Sequence, residues 1–172
     1  MREAAFIRGA RNVFTGLRRW SARHERFLWT GLIVVVVAVQ WPMLKGFYYR
    51  AVEASPPQTS IQWRTDLPSA LLEAKSTGKA VLVDFSADWC PPCIVMKHDV
   101  WPDAGVEAAV AQFYIPVLID VDNDSMVGER YGVRGIPTVL VLDAAGDVVR
   151  RDSFLNASGM VKFLARATMH TE

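Results

Sequence analysis

Cys90 and Cys93 are the only cysteines in a chain of 172 residues, and Pro91 and Pro92 separate them. A C-x-x-C pair can hold a metal, staple a loop or cycle between dithiol and disulfide. Zinc needs about four N or S ligands, and this pair supplies two. His98 is the one histidine close by, and it suits a solvated helix position as well as a ligand. A copper-handling role would use Cys90, Cys93 and His98 and is expected no more than zinc, so no metal site is expected. A disulfide across two residues removes little chain entropy, because stabilisation grows with loop length. What remains is a working redox pair.

That chemistry makes specific demands. The attacking sulfur must be a thiolate, exposed and stabilised. A helix N-terminus offers unpaired N–H groups and the positive end of the macrodipole. Cys90 comes first and is expected to be the nucleophile; Cys93, in the first turn and half-buried, is expected to resolve the mixed disulfide. Prolines are tolerated there because their missing N–H groups would be unpaired anyway. They also withhold two donors from the Cys90 sulfur, leaving the Cys93 N–H and the dipole. A less stabilised thiolate disfavours the reduced form, which points to a reducing couple near about −270 mV.

The elements around the pair follow from pattern. The stretch 66–78 reads as a helix with Asp66 as N-cap, Pro68 in its first turn and Gly78 as its stop. Residues 80–87 are an apolar run broken by Asp84, the pattern of a strand buried on both faces. A helix then runs from the cysteines toward Val100, and another over 103–113. A strand is expected over 114–122 and a short helix or turn over 123–132. Strands 137–143 and 147–154 flank Ala-Ala-Gly as an antiparallel hairpin. A closing helix is expected over 156–170, with Met160, Leu164 and Ala167 on one stripe. The expected order, βαβαβαββα, gives an α/β fold with a central mixed sheet and helices on both faces.

The N-terminal third is of another kind. Residues 1–26 hold Arg2, Arg8, Arg11, Arg18, Arg19, Arg23 and Arg26 against Glu3 and Glu25. Residues 61–172 are mildly acidic, which argues against nucleic acid as a partner. Phe27 to Leu44 carries no charge, with Trp29 near one end and Trp41, Tyr48 and Tyr49 near the other. That stretch is long enough for a single transmembrane helix with interfacial aromatic anchors. The arginine excess before it places the N-terminus in the cytoplasm and residues after 44 outside. A cleaved signal peptide and a mitochondrial transit peptide are the competing readings. Residues 4–20 suit either a basic amphipathic helix on the inner leaflet or a loose basic tail. The domains expected are a basic segment 1–26, a span 27–44, a linker 45–60 with Pro56-Pro57, and a folded domain 61–172.

The stretch VLVDFSADWCPPC, with YGVRGIPTVLVLD about forty residues later, resembles the thioredoxin superfamily. GKAVLVDFSADWC is most similar to the C-terminal thioredoxin-like domain of DsbD-type thiol:disulfide interchange proteins. The resemblance covers about residues 61–170. It implies a thioredoxin-like fold preceded by the membrane helix. It also implies roles: Trp89 beside the disulfide, Asp84 as a buried acid assisting proton transfer at Cys93, and Pro137 as a cis-proline facing the cysteines. Ile136 before it would offer its backbone for strand-like pairing with substrate. Burial should raise the Asp84 pKa. Two features depart from the family: IPVLIDVD lacks the lysine many thioredoxins carry near the buried acid, and the spacer is Pro-Pro.

The function expected is a membrane-anchored periplasmic disulfide reductase at the bacterial inner membrane. Its partners would be protein disulfide substrates and a membrane electron donor. No organic cofactor is implied. The rivals are a disulfide oxidase or isomerase, and a thioredoxin-like docking module.

Overall fold

A computed structural model describes residues 27–168. The basic segment 1–26, with its expected amphipathic stretch 4–20, lies outside the described residues, as do residues 169–172 and the Ala167 side chain. The chain divides into two compact units between Trp41 and Pro42, and each is described by itself.

In the first unit, helix α1 (Phe27–Val39) is followed by a break at Gln40. Pro42 accounts for the break. Its ring crowds the carbonyl four residues back, at Ala38, and it supplies no N–H for the ladder, yet it is tolerated in the first turn of a new helix. That new helix is α2 (Trp41–Ala51). The single span expected over 27–44 is therefore interrupted. Among the described residues no single helix is long and apolar enough to cross a membrane; α1 and α2 meet that requirement only together, as a broken pair. At about 1.5 Å per residue α1 alone is about 20 Å long, short of a hydrocarbon core of about 30 Å.

The second unit carries α2, α3 (Leu67–Thr77), β1 (Ala80–Ser86), α4 (Pro91–Asp99), α5 (Ala104–Phe113), β2 (Tyr114–Asp120), α6 (Ser125–Arg130), β3 (Thr138–Leu142), β4 (Val148–Asp152) and α7 (Ala157–Thr168). Its sheet order is β2-β1-β3-β4. β1 runs parallel to β2 and antiparallel to β3, and β3 and β4 form the expected hairpin. Among the described residues the sheet has four strands, not the five of the expected order. Where a leading strand was expected there is one isolated bridge, Arg64 to Val117.

Local chemistry sets most boundaries. Asp66 caps α3 by accepting from the Ser69 N–H, and Gly78 ends it at φ 70°, a left-handed conformation that costs glycine nothing. Asp103 caps α5 through the N–H groups of Gly105 and Val106. Part of the expected linker is structured too: residues 45–51 lie in α2, and Thr59 and Ser60 both donate to Glu107 Oε1.

β1 is buried at every residue. On one face Val81, Val83 and Phe85 pack with Leu67, Ala70 and Ala74 of α3 and with Ile115, Val117 and Ile119 of β2. On the other, Ala80 and Leu82 pack with Met96, Val100, Trp101 and the α7 residues Met160, Phe163 and Leu164. Strand alternation puts Asp84 and Ser86 on this second face, beneath α4.

Candidate functional site

Cys90 is the N-cap of α4. Its backbone is extended, and its Sγ accepts from the Cys93 N–H at 3.3 Å. Pro91 and Pro92 fill the first helical positions, so no other N–H of that turn competes for the sulfur. Cys90 and Cys93 are joined as a disulfide. Among the described residues no three His, Cys, Asp or Glu side chains are grouped as metal ligands.

The burial of Cys90 differs from expectation. Both cysteines are 2 % exposed. They form a small cluster with Ala87, and Val121 and Ile136 pack against it. The cause is tertiary packing: the residue expected to be open to solvent sits between the β2 end, the Ile136 loop and its own helix. The Ile136–Pro137 peptide is cis, as the resemblance implied. Ile136 is half-buried and Pro137 buried.

Trp89 stands beside the pair, 53 % exposed, and its indole N–H donates to Asp122 Oδ2 at 2.8 Å. Among the described residues it is a large apolar side chain that faces water next to the pair. An anchored, exposed indole gives a rigid surface for a docking chain.

Asp84 is 2 % exposed. Its Oδ2 accepts from the Trp101 indole N–H at 3.1 Å, while Oδ1 has no partner among the described residues. Burial pushes its pKa up to about 7, against weaker lowering by the Trp101 hydrogen bond and the Lys97 charge. A carboxyl titrating near neutrality can both take and release a proton at working pH.

The sequence reading named Cys90, Cys93, Asp84, Trp89, Ile136 and Pro137. The structure brings the cysteines and Ile136 into one cluster and sets Asp84 on the face of β1 that α4 covers. Three contacts were missed. Trp101, between the expected helices, supplies the donor that an acid in an apolar strand requires, and the sequence reading did not name it. Asp122 was not paired with Trp89.

The third is α2, whose residues the sequence reading divided between the span 27–44 and the linker 45–60. Gly46 is buried against the backbone of Pro91: a Cβ there would lie 2.1 Å from the Pro91 carbonyl oxygen. Tyr49 stacks on His98, ring centroids 4.1 Å apart, so the half-buried His98 is packed on one face and not a fully solvated helix residue. Lys45 Nζ and Tyr49 Oη both donate to Asp99, at 2.5 and 2.8 Å. The signal was present, because a glycine flanked by Lys45, Tyr48 and Tyr49 just after an apolar helix has the makings of a contact face.

Comparison with known proteins agrees with this geometry. The family model described as "Thioredoxin-like" matches residues 62–144. "Thiol:disulfide interchange protein DsbD 1" of Pseudomonas aeruginosa is 32% identical over 129 residues, covering 68% of this chain and 22% of that protein. The chain thus spans about a fifth of the length of the DsbD proteins it matches. "Thioredoxin" of Chlamydia muridarum is 31% identical over 88 residues, covering 50% of this chain and 80% of that protein. The solved thioredoxin from Thermus thermophilus superposes with a TM-score of 0.59 at 27% identity, covering 66% of this chain and 91% of that one.

Proposed function

The chain belongs to the thioredoxin-like family and is a thiol–disulfide oxidoreductase; from that premise we propose that it is a membrane-anchored disulfide reductase of exported or membrane proteins. The observation that carries the reading is the capping geometry, with Cys90 at the mouth of α4 and its sulfur held by the Cys93 N–H.

The reaction is a two-electron exchange. The reduced Cys90 thiolate attacks a substrate disulfide, and one substrate sulfur leaves as a thiolate. Cys93 then loses its proton to Asp84 and attacks Cys90 Sγ. The second substrate sulfur leaves, and both substrate thiolates take protons from solvent. Two protein thiols become the Cys90–Cys93 disulfide while one substrate disulfide becomes two thiols. Trp89, Ile136 and Pro137 form the docking rim. Because Cys90 is buried in the oxidised pair, the Ile136 side of the cluster yields when substrate enters.

The membrane anchor is supported by the apolar residues of α1, exposed all around the helix, and by the arginines that precede it. The arginine excess before α1 supports a place for the folded domain on the outer face of a bacterial inner membrane. There a membrane-bound electron donor re-reduces the pair.

The test joins two measurements on the full chain. Insulin reduction should be present in the natural protein and lost in Cys90→Ser. Thiol trapping in growing cells should find Cys90 and Cys93 mostly reduced. A mostly oxidised pair would assign the oxidase direction, and activity retained by Cys90→Ser would remove the enzyme reading altogether.

A further inference from the structure

Asp84 must exchange its proton with water once in every cycle, yet almost none of its surface meets solvent. The way out is written in the residues beside it. Ser86 lies two positions along β1 on the same face, about 7 Å away by strand rise. It is 3 % exposed, and its hydroxyl, like Asp84 Oδ1, is buried without a partner among the described residues. Buried oxygens of this kind are satisfied by internal water where the site is polar and roomy enough.

Such a site adjoins Ser86. A cavity of about 200 Å³ is lined by Ser86, Ala87, Asp88, Lys97, Leu118 and Asp120. That volume holds several waters, at the ten to fifteen Å³ or so each needs. Its charged lining gives those waters partners. Lys97 Nζ bonds Asp88 Oδ1 at 2.7 Å, and the Asp88 side chain is 94% exposed, so the cavity rim reaches bulk solvent. Asp84 is not among the residues of the cavity wall; Ser86 is, with its hydroxyl oxygen lying just beneath that wall. A hydroxyl both donates and accepts, so it can pass a proton while keeping its own hydrogen count.

We propose that the Ser86 hydroxyl and the water of this cavity form the proton route between Asp84 and solvent. The inference rests on the acid role proposed for Asp84. When Asp84 holds the Cys93 proton, Oδ1 releases it through a bridging water to Ser86, Ser86 passes its own hydrogen to the cavity water, and Asp84 returns to carboxylate. Trp101 holds Oδ2, which leaves Oδ1 as the exchanging oxygen. The charged groups facing the route are Lys97, Asp88 and Asp120. His98 and Asp99, also on α4, are engaged by Tyr49 and Lys45 on its other side.

The test is a single-turnover reaction of the reduced full chain with dithiobis(nitrobenzoate). Its first thionitrobenzoate reports attack by Cys90 and its second reports resolution by Cys93. Ser86→Ala should leave the first phase unchanged and slow the second about tenfold, less than the roughly hundredfold of a full acid–base group. The pH profile of the second phase should flatten around neutrality. Ser86→Thr, which keeps the hydroxyl, should restore it. A second phase in Ser86→Ala equal to the natural one at every pH overturns the proposal. So does equal slowing of both phases, or failure of Ser86→Thr to restore the rate. A natural chain that releases no thionitrobenzoate overturns instead the redox reading beneath it.

Discussion

The two faces of β1 are equally buried, and both pack apolar side chains, but only one of them also carries polar residues. Val81, Val83 and Phe85 meet only apolar side chains of α3, β2 and β3. Asp84 and Ser86, between and beyond them, point the other way and bring two orphan oxygens into the fold. The apolar face holds the sheet together. The polar face tolerates an uncomfortable acid because α4, the helix that covers it, carries the dithiol. Stability and chemistry are thus divided across one strand, at alternate residues.

The sharpest way to break that division is to empty the apolar face. Phe85→Ala should lose about 3–5 kcal/mol in urea unfolding, as large core truncations do, while the pH dependence of the dithiol stays where it was. A shifted pH profile would mean that the faces are not independent.

Asp84→Asn works from the other side. The folded-state pKa of about 7 lies above the ordinary 3.8, so the folded chain binds the proton more tightly than the unfolded one. Stability therefore falls as pH rises from about 4 to 7 and levels off above that. Asparagine removes this loss. The variant should be more stable above pH 7, by up to about 4 kcal/mol on the conversion of about 1.4 kcal/mol per pKa unit, with the gain fading toward pH 4. Thermal melts of the oxidised protein across that range check it, and the same variant should resolve mixed disulfides more slowly.

Gly46→Val tests what holds the cover in place. A side chain at 46 collides with the Pro91 backbone, so α2 should lift from α4 at a cost of about 1–3 kcal/mol. Local helix propensity argues the opposite sign, since glycine is the poorer helix former. Faster amide exchange over residues 42–51 would show that packing wins. Trp101→Phe is the gentlest probe. Loss of the indole donor should cost about 1 kcal/mol and move the Asp84 titration further up, read by carboxyl infrared bands.

Much of this was legible before any coordinates. The apolar run around Asp84, the Asp66 and Gly78 caps and the Cys-Pro-Pro-Cys start of a helix are local signals, and each stands where its chemistry predicted. What escaped was non-local or competed with a stronger signal. The α2 contact joins Lys45 to Asp99 across 54 positions, and no periodicity reports such a pair. The apolar count over 27–44 masked the effect of Pro42, so one span was read where two helices stand. The low exposure of Cys90 depends on Val121 and Ile136 arriving from distant loops. Asp84 was found as an anomaly in a strand, but its donor Trp101 lay 17 positions away, between the expected helices.

The most direct test of the account is to trap the covalent intermediate. The full chain carrying Cys93→Ser should accumulate mixed disulfides through Cys90 with substrate proteins, visible as reductant-sensitive high-mass species, whereas Cys90→Ser should form none. Adducts on Cys93 in the Cys90→Ser chain, with none in its counterpart, would contradict it.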